Sequence, residues 1–387
     1  MAAERAYLDY NASAPLLDAA RAAMVAAFDV TANPSSVHAE GRVARRLIEN
    51  ARRDVAALVN AKPEHVVFTS GATEAASTLL TPDWQMGRGA VRMSHLYVCA
   101  ADHPCLLNGG RFAAGNISRI DVKTDGIVDL DQLAAALAAH DKASGLPLVA
   151  MHAANNETGV IQPIEKVAEI VKAAGGILVF DAVQAVGRIP LDMSKPCADY
   201  LILSSHKIGG PKGVGAIVAA ADLMMPRPLV SGGGQEKGHR GGTENLPGIA
   251  GFGAAARQAL DGLAAIGDVA AKRAEVEAIL AALVPDAEIV GRTAPRLANT
   301  TFFAIPGVKA ETAQIAFDLA GVALSAGSAC SSGKVGPSGV LKAMGYEESH
   351  GALRVSVGHA TSARDLELFR EALAGIAARR ADRVNAA

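Results

Sequence analysis

Two spacings of apolar residues alternate along most of this chain. Short continuous apolar runs at 65–69, 96–100, 117–121, 146–151, 177–180 and 200–203 read as strands buried on both faces. Leu17, Met24 and Phe28, then Val43, Leu47, Ala51, Val55 and Leu58, recur at helical spacing, and 129–140 and 163–174 add further helices. Strands alternating with helices predict an α/β fold in which a mostly parallel sheet is covered by helices. Beyond residue 246 two Ala-rich helical stretches run to about 283. A strand at 299–305, a helix at 311–320, a strand at 352–358 and a closing helix at 363–378 follow. The chain is thus expected to form a large domain over 15–255 and a smaller C-terminal α/β domain over 256–387, which 1–14 joins. No internal repeat is found.

Composition removes several function classes. A length of 387 residues suits two domains that share one active site, and a net charge of -2 with 20% charged residues indicates neither a nucleic-acid surface nor a disordered tail. Aromatic residues make up 4%, so the core is aliphatic and no base-stacking platform is present. No apolar run reaches membrane-spanning length, and the opening MAAERAYLDYNASAP lacks the apolar block of a secretory signal, so a cytoplasmic location is expected. The cysteines Cys99, Cys105, Cys197 and Cys330 show no CxxC spacing, which fits a reducing compartment.

Candidate chemistry gathers at two strand ends. The run 177–180 delivers Asp181, with Gln184 in the next turn, and the run 200–203 delivers Ser204, Ser205, His206 and Lys207. Ligands of open α/β sheets bind at such ends, so the two sets converge. An acid and a lysine there suit pyridoxal phosphate (PLP), which needs an amine for its aldehyde and a carboxylate to keep its ring nitrogen protonated. SGATEA, 70–75, turns from strand to helix near Ala72 and Thr73, and a helix start offers unpaired N–H groups to a phosphate. GGPKG lacks the spacing of a nucleotide-binding phosphate loop. His103 precedes a Pro-started helix and reads as a cap or core histidine unless other features give it chemistry. Cys330, within GSACSSGKVGPSG, is either an inert buried thiol or an accessible nucleophile.

The strings YLDYNASAP, NPSSVH, FTSGATE, MHAANNETGVIQ, SSHKIGGPKGVG, GGGQEKGHRGGT, SAGSAC and ALRVSVG together resemble cysteine desulfurases of the NifS/IscS type, in the aminotransferase class V group. The resemblance covers roughly residues 6 to 375 and departs at 79–95, at Ser205, where such chains commonly carry Gly, and in the GKVGPSG loop. It implies a PLP-dependent transferase of fold type I, a homodimer with shared sites, and L-cysteine as substrate. Lys207 would carry the cofactor, Asp181 face its ring nitrogen, Gln184 its phenolic oxygen, and His103 lie over the ring. Ser204, His206, Thr73 and Thr243 of a second subunit would hold the phosphate. Asn156 would contact the cofactor's phenolic oxygen or the substrate carboxylate, Arg354 would hold that carboxylate, and Cys330, on a long loop, would take the sulfur as a persulfide for an acceptor or iron–sulfur scaffold protein. Two alternatives stay open: a selenocysteine lyase on the same fold, and a non-catalytic scaffold of cluster assembly.

Overall fold

A computed structural model describes residues 4–327, 338–347 and 351–385. The strands Gly89–Cys99, Leu146–His152, Ile177–Asp181 and Tyr200–Ser204 lie side by side and parallel, and Ile117–Ile120 joins parallel along the second half of the first. Gly215–Ala219 returns antiparallel, and Val66–Thr69 pairs antiparallel beyond it. Alternate residues of the central strands enter two separate cores. Val149, Met151, Leu178, Phe180, Leu201 and Leu203 pack with the helices Ala39–Leu58, Ile164–Ala174 and Leu246–Gly262. Leu148, Ala150, Ile177, Val179, Tyr200 and Ile202 pack on the other face with Ala75, Ala76 and Leu79 of the helix Ala72–Leu79. The continuous apolar runs therefore have a simple cause: both faces of the sheet are covered.

The stretch 79–95, where family resemblance is weakest, forms a hairpin of Asp83–Met86 with the first part of Gly89–Cys99, extended by Met224–Pro226. Its two-residue turn uses Gly87 at φ 59, a conformation that glycine adopts without a Cβ penalty. Trp84 is buried behind this hairpin, donates Nε1–H to Thr81 O at 2.8 Å and meets Tyr200 edge-on at 5.2 Å.

A second, antiparallel sheet runs in the order Glu288–Ile289, Thr300–Ala304, Leu353–Ser356, Ser325–Ala326. The helices Ile266–Leu283, Ala310–Leu319 and Ala363–Asn385 accompany it. Ala6–Tyr7 pairs parallel with Val322–Ala323, and Ala6 and Leu8 share a core with Val269, Phe303, Phe317 and Phe369. The helix Leu246–Gly262 sends Leu246, Ile249, Phe252 and Ala256 into the large core, whereas Val269, Val276 and Ile279 of the next helix enter the small one. We propose two domains on this grouping, with the junction expected near 255 moved to the turn Leu263–Ala265. Among the described residues no helix is long and apolar enough to cross a membrane.

Candidate active site

Register brings the polar strand ends together. Asp181 lies opposite His152 on one neighbouring strand and opposite Ile202 on the other, two residues before Ser204. The 3-10 turn Ser205–Lys207 then folds the chain back over the sheet edge. A cavity of about 590 Å³ opens there, lined by Ala72, Thr73, His103, Asn156, Asp181, Gln184, Ser204, His206 and Lys207 among others. These are the cofactor and histidine positions read from the sequence, apart from Thr243.

The cavity has ends of opposite character. Asp181 is buried, accepts the Val183 N–H at 3.0 Å through Oδ1 and faces the Cys105 thiol at 3.9 Å through Oδ2. Burial pushes its pKa upward, the Val183 N–H and His103 oppose this, and among the described residues it forms no ion pair. At the other end the helix Ala72–Leu79 starts at Gly71 without a side-chain cap, with Thr73, Ser204, His206 and Lys212 along the wall. A buried carboxylate open to a cation and a helix start open to an anion fit the two ends of PLP. Burial, Lys207 and Lys212 hold the pKa of His206 down to about 4.

His103 both caps a helix and lines the cavity. Its Nδ1 caps the short helix Pro104–Leu107 by accepting the Cys105 N–H at 3.2 Å, and its ring still lines the cavity. With Nδ1 an acceptor, the neutral ring carries its proton on Nε2. Burial lowers its pKa, Asp181 raises it and Lys207 lowers it further, with the net shift downward.

The N-terminal segment, one of the strings that carry the resemblance, contributes through Asn11 and Ala12, to which no role was assigned from the sequence. Asn11 O accepts from Lys207 Nζ at 2.5 Å and Gln184 Nε2 at 3.0 Å, and Ala12 O accepts from Lys207 Nζ at 2.9 Å. Asn11 Nδ2 donates to Asn156 O at 3.2 Å and Thr300 Oγ1 at 2.9 Å. Its signal was the polar density of LDYNAS ahead of a proline. A second unread group is Asp102, whose Oδ1 accepts both His152 N–H at 2.8 Å and His152 Nδ1–H at 2.6 Å. Gln162 Nε2 donates to His152 Nε2 at 3.0 Å and fixes that tautomer.

Arg354 lies behind Asn156 rather than on the cavity wall. It is 1% exposed, donates Nη1–H to Asn156 O at 2.9 Å and pairs with Asp9 at 2.7 Å. Glu157, in the same turn as Asn156, accepts the Ser338 hydroxyl at 2.5 Å, and burial raises its pKa to about 7. Ser205 is fully buried, and among the described residues its hydroxyl has no hydrogen-bond partner.

Thr243 is exposed, away from this chain's own cavity. The glycine-rich segment that carries it, which composition alone marks as a mobile linker, is pinned. Glu236 takes Arg52 bidentately at 2.7 and 2.8 Å and accepts the Phe68 N–H at 2.9 Å. Cys330 lies outside the described residues.

An acid and a lysine that line one cavity at the strand ends suit PLP, and the chain is a PLP-dependent enzyme of fold type I. The chain belongs to the aminotransferase class-V family, whose model matches residues 6–369. It is 37% identical over 382 residues to a cysteine desulfurase of Cereibacter sphaeroides, covering 96% of this chain and 95% of that one. A cysteine desulfurase of Frankia sp. is 40% identical over 93% of this chain and 88% of its own. A NifS-like protein from Rickettsia africae, known by crystal structure, superposes with a TM-score of 0.85 at 32% identity, over 96% of this chain and 99% of that one.

Proposed function

We propose that this protein is a PLP-dependent cysteine desulfurase that converts L-cysteine to L-alanine and passes the sulfur on through Cys330. The observation that carries the reading is the convergence of buried Asp181 and Lys207 on one cavity whose far end is a helix start, in a chain similar throughout to cysteine desulfurases. When bound, PLP supplies an electron sink for the carbon from which a proton is removed.

The residues divide the remaining work. Lys207 would hold the cofactor through its amine, Asp181 would keep the ring nitrogen protonated, and Gln184 and His103 would serve its phenolic oxygen and ring. Ala72, Thr73, Ser204 and His206 hold the phosphate, completed by Thr243 of a second copy. Arg354 and Asn156 orient the substrate carboxylate. Lys207, freed once substrate is bound, would serve as the base that takes the Cα proton. The Cys330 thiolate would attack the substrate sulfur: a sulfur–sulfur bond forms, the carbon–sulfur bond breaks with its electron pair left on the carbon side, and protons returned to Cβ and Cα give alanine, with Cys330 left as a persulfide.

The reading includes a homodimer, for which the exposed apolar side chains of Val25, Phe28 and Val37 are available. The acceptor is a thiol of an iron–sulfur scaffold or another sulfur-carrier protein. Cys99, Cys105 and Cys197 are unpaired, as a reducing cytoplasm requires.

The test is alanine and sulfide release from L-cysteine with reductant, in the native chain, Cys330→Ser and Lys207→Ala. Loss in both, with visible cofactor absorbance kept in Cys330→Ser, is expected. Full turnover without Cys330 would move the activity to direct elimination, as in a selenocysteine lyase, and colourless inactive native protein would leave only a scaffold.

A further inference from the structure

Arg354 is already paired before any substrate arrives. Its strand, Leu353–Ser356, turns the guanidinium inward, where Nη2 meets the Asp9 carboxylate at 2.7 Å. Asp9 also accepts the Ser325 hydroxyl at 2.9 Å through Oδ2, and Ser325 Oγ accepts from the same Nη2 at 3.1 Å. Nη1 donates to Asn156 O at 2.9 Å. Asp9 therefore meets Nη2 both directly and through Ser325, while Asn156 O meets Nη1. Asp9 is itself fixed by a backbone bridge to Ser356 and by the Tyr7 hydroxyl, which donates to Asp9 O at 3.2 Å.

A guanidinium recognises a carboxylate through two parallel hydrogen bonds, so its plane matters as much as its charge. We propose that Asp9 is a positioning residue of the carboxylate clamp: it sets the plane in which Arg354 meets the α-carboxylate of the substrate. The inference rests on the reading of Arg354 as that clamp.

Removing Asp9 has two opposed consequences. The lost negative charge leaves Arg354 a stronger attractor, and the lost anchor leaves it misaligned. Geometry decides for alignment. Without Asp9 the Ser325 hydroxyl loses its acceptor as well, so both named partners of Nη2 loosen together.

The test compares two probes on the PLP-loaded enzyme, read by the absorbance of the bound cofactor. L-alanine carries the carboxylate, whereas cysteamine carries the amine and thiol without it. Asp9→Ala should weaken L-alanine binding and raise KM for L-cysteine by about tenfold or more, with kcat and cysteamine binding within about threefold. Asp9→Asn, which keeps the shape and one acceptor oxygen, should lose about threefold, and Ser325→Ala somewhat less. These two variants carry the test if Asp9→Ala does not fold. Tighter L-alanine binding in Asp9→Asn would mean that Asp9 competes with the substrate instead, and would overturn the proposal. Equal weakening of both probes would reduce Asp9 to a structural group, and unchanged binding in all three variants would leave it no part in the clamp. Arg354→Lys separates the two levels. If L-alanine affinity survives that change, the clamp reading itself is wrong; if it falls while Asp9→Asn and Ser325→Ala behave as native, only the role of Asp9 is.

Discussion

The N-terminal strap, 9–15, and the glycine-rich loop, 231–243, both lack extended regular structure, and buried polar side chains fix them in opposite senses. The strap faces its own cavity, touching Arg354, Gln184, His206 and Lys207 through Asp9, Asn11, Ala12 and Ser13. The loop is held by Glu236 on Arg52 and by Arg240 on Glu74, a residue of the cavity wall, and leaves Thr243 exposed. Backbone without a ladder is thus made rigid by carboxylate, guanidinium and amide groups that saturate it. One segment lines its own cavity, while the other leaves Thr243 exposed, as the proposed role toward a second subunit needs.

The strongest way to break this comparison is to remove the anchor of the loop. Arg52 and Glu236 are each 3% exposed, so Glu236→Ala takes the bidentate partner from a buried guanidinium. It leaves the guanidinium with the Glu49 carboxylate at 3.2 Å and Val66 O at 2.7 Å, and should cost about 3 kcal/mol in urea unfolding. Replacing the pair together, by Arg52→Met with Glu236→Leu, should recover much of that loss, because no buried charge is then left alone. A cost under about 1 kcal/mol for Glu236→Ala, the level of an exposed ion pair, would show that the loop is not held through this group.

On the strap, Asn11→Ala should cost about 2 kcal/mol. It removes the acceptor for Asn299 Nδ2 at 2.9 Å and the donor to Thr300 Oγ1 at 2.9 Å, both within buried surroundings. Urea unfolding checks this too, and a near-neutral result would mean that the strap is held by its backbone pairing alone.

Thr243→Ala sharpens the contrast by leaving stability within about 0.5 kcal/mol, since the residue is exposed. PLP retention on dialysis should nevertheless fall. Mixing Thr243→Ala chains with Lys207→Ala chains should give more desulfurase activity than either variant alone, because each hybrid then holds one complete site. No gain on mixing would mean that Thr243 does not serve a second subunit.

The same contrast explains what the sequence made legible. Strands buried on both faces write themselves as apolar runs, so Ile177–Asp181 and Tyr200–Ser204 were located to a residue, and with them Asp181 and Lys207. Asp9 and Arg354, or Arg52 and Glu236, are separated by hundreds of positions or nearly so, and no local spacing announces such partners. The hairpin Asp83–Met86 with Gly89–Cys99 was missed for a related reason: its strands are half exposed and carry Arg, Gln and Gly instead of a continuous apolar run. His103 showed that two readings of a motif need not exclude each other, since one ring nitrogen caps a helix while the ring lines the cavity.

The smallest expected effect lies where the strap meets the turn before Lys207. His206 Nδ1 contacts Ser13 Oγ at 3.4 Å, and burial, Lys207 and Lys212 hold its pKa at about 4, below the ordinary 6.5. The folded chain then binds fewer protons than the unfolded chain between these values, so stability should fall as pH drops from about 6.5 to 4 and level off below. Measured without PLP, so that no phosphate contributes, His206→Asn should flatten that part of the curve. Ser13→Ala should leave its shape intact, because the hydroxyl is not among the causes that depress the pKa. Superimposable curves for native protein and His206→Asn would mean that His206 titrates near its ordinary value, and the phosphate end of the cavity would then meet its ligand as a cation below about pH 6.5.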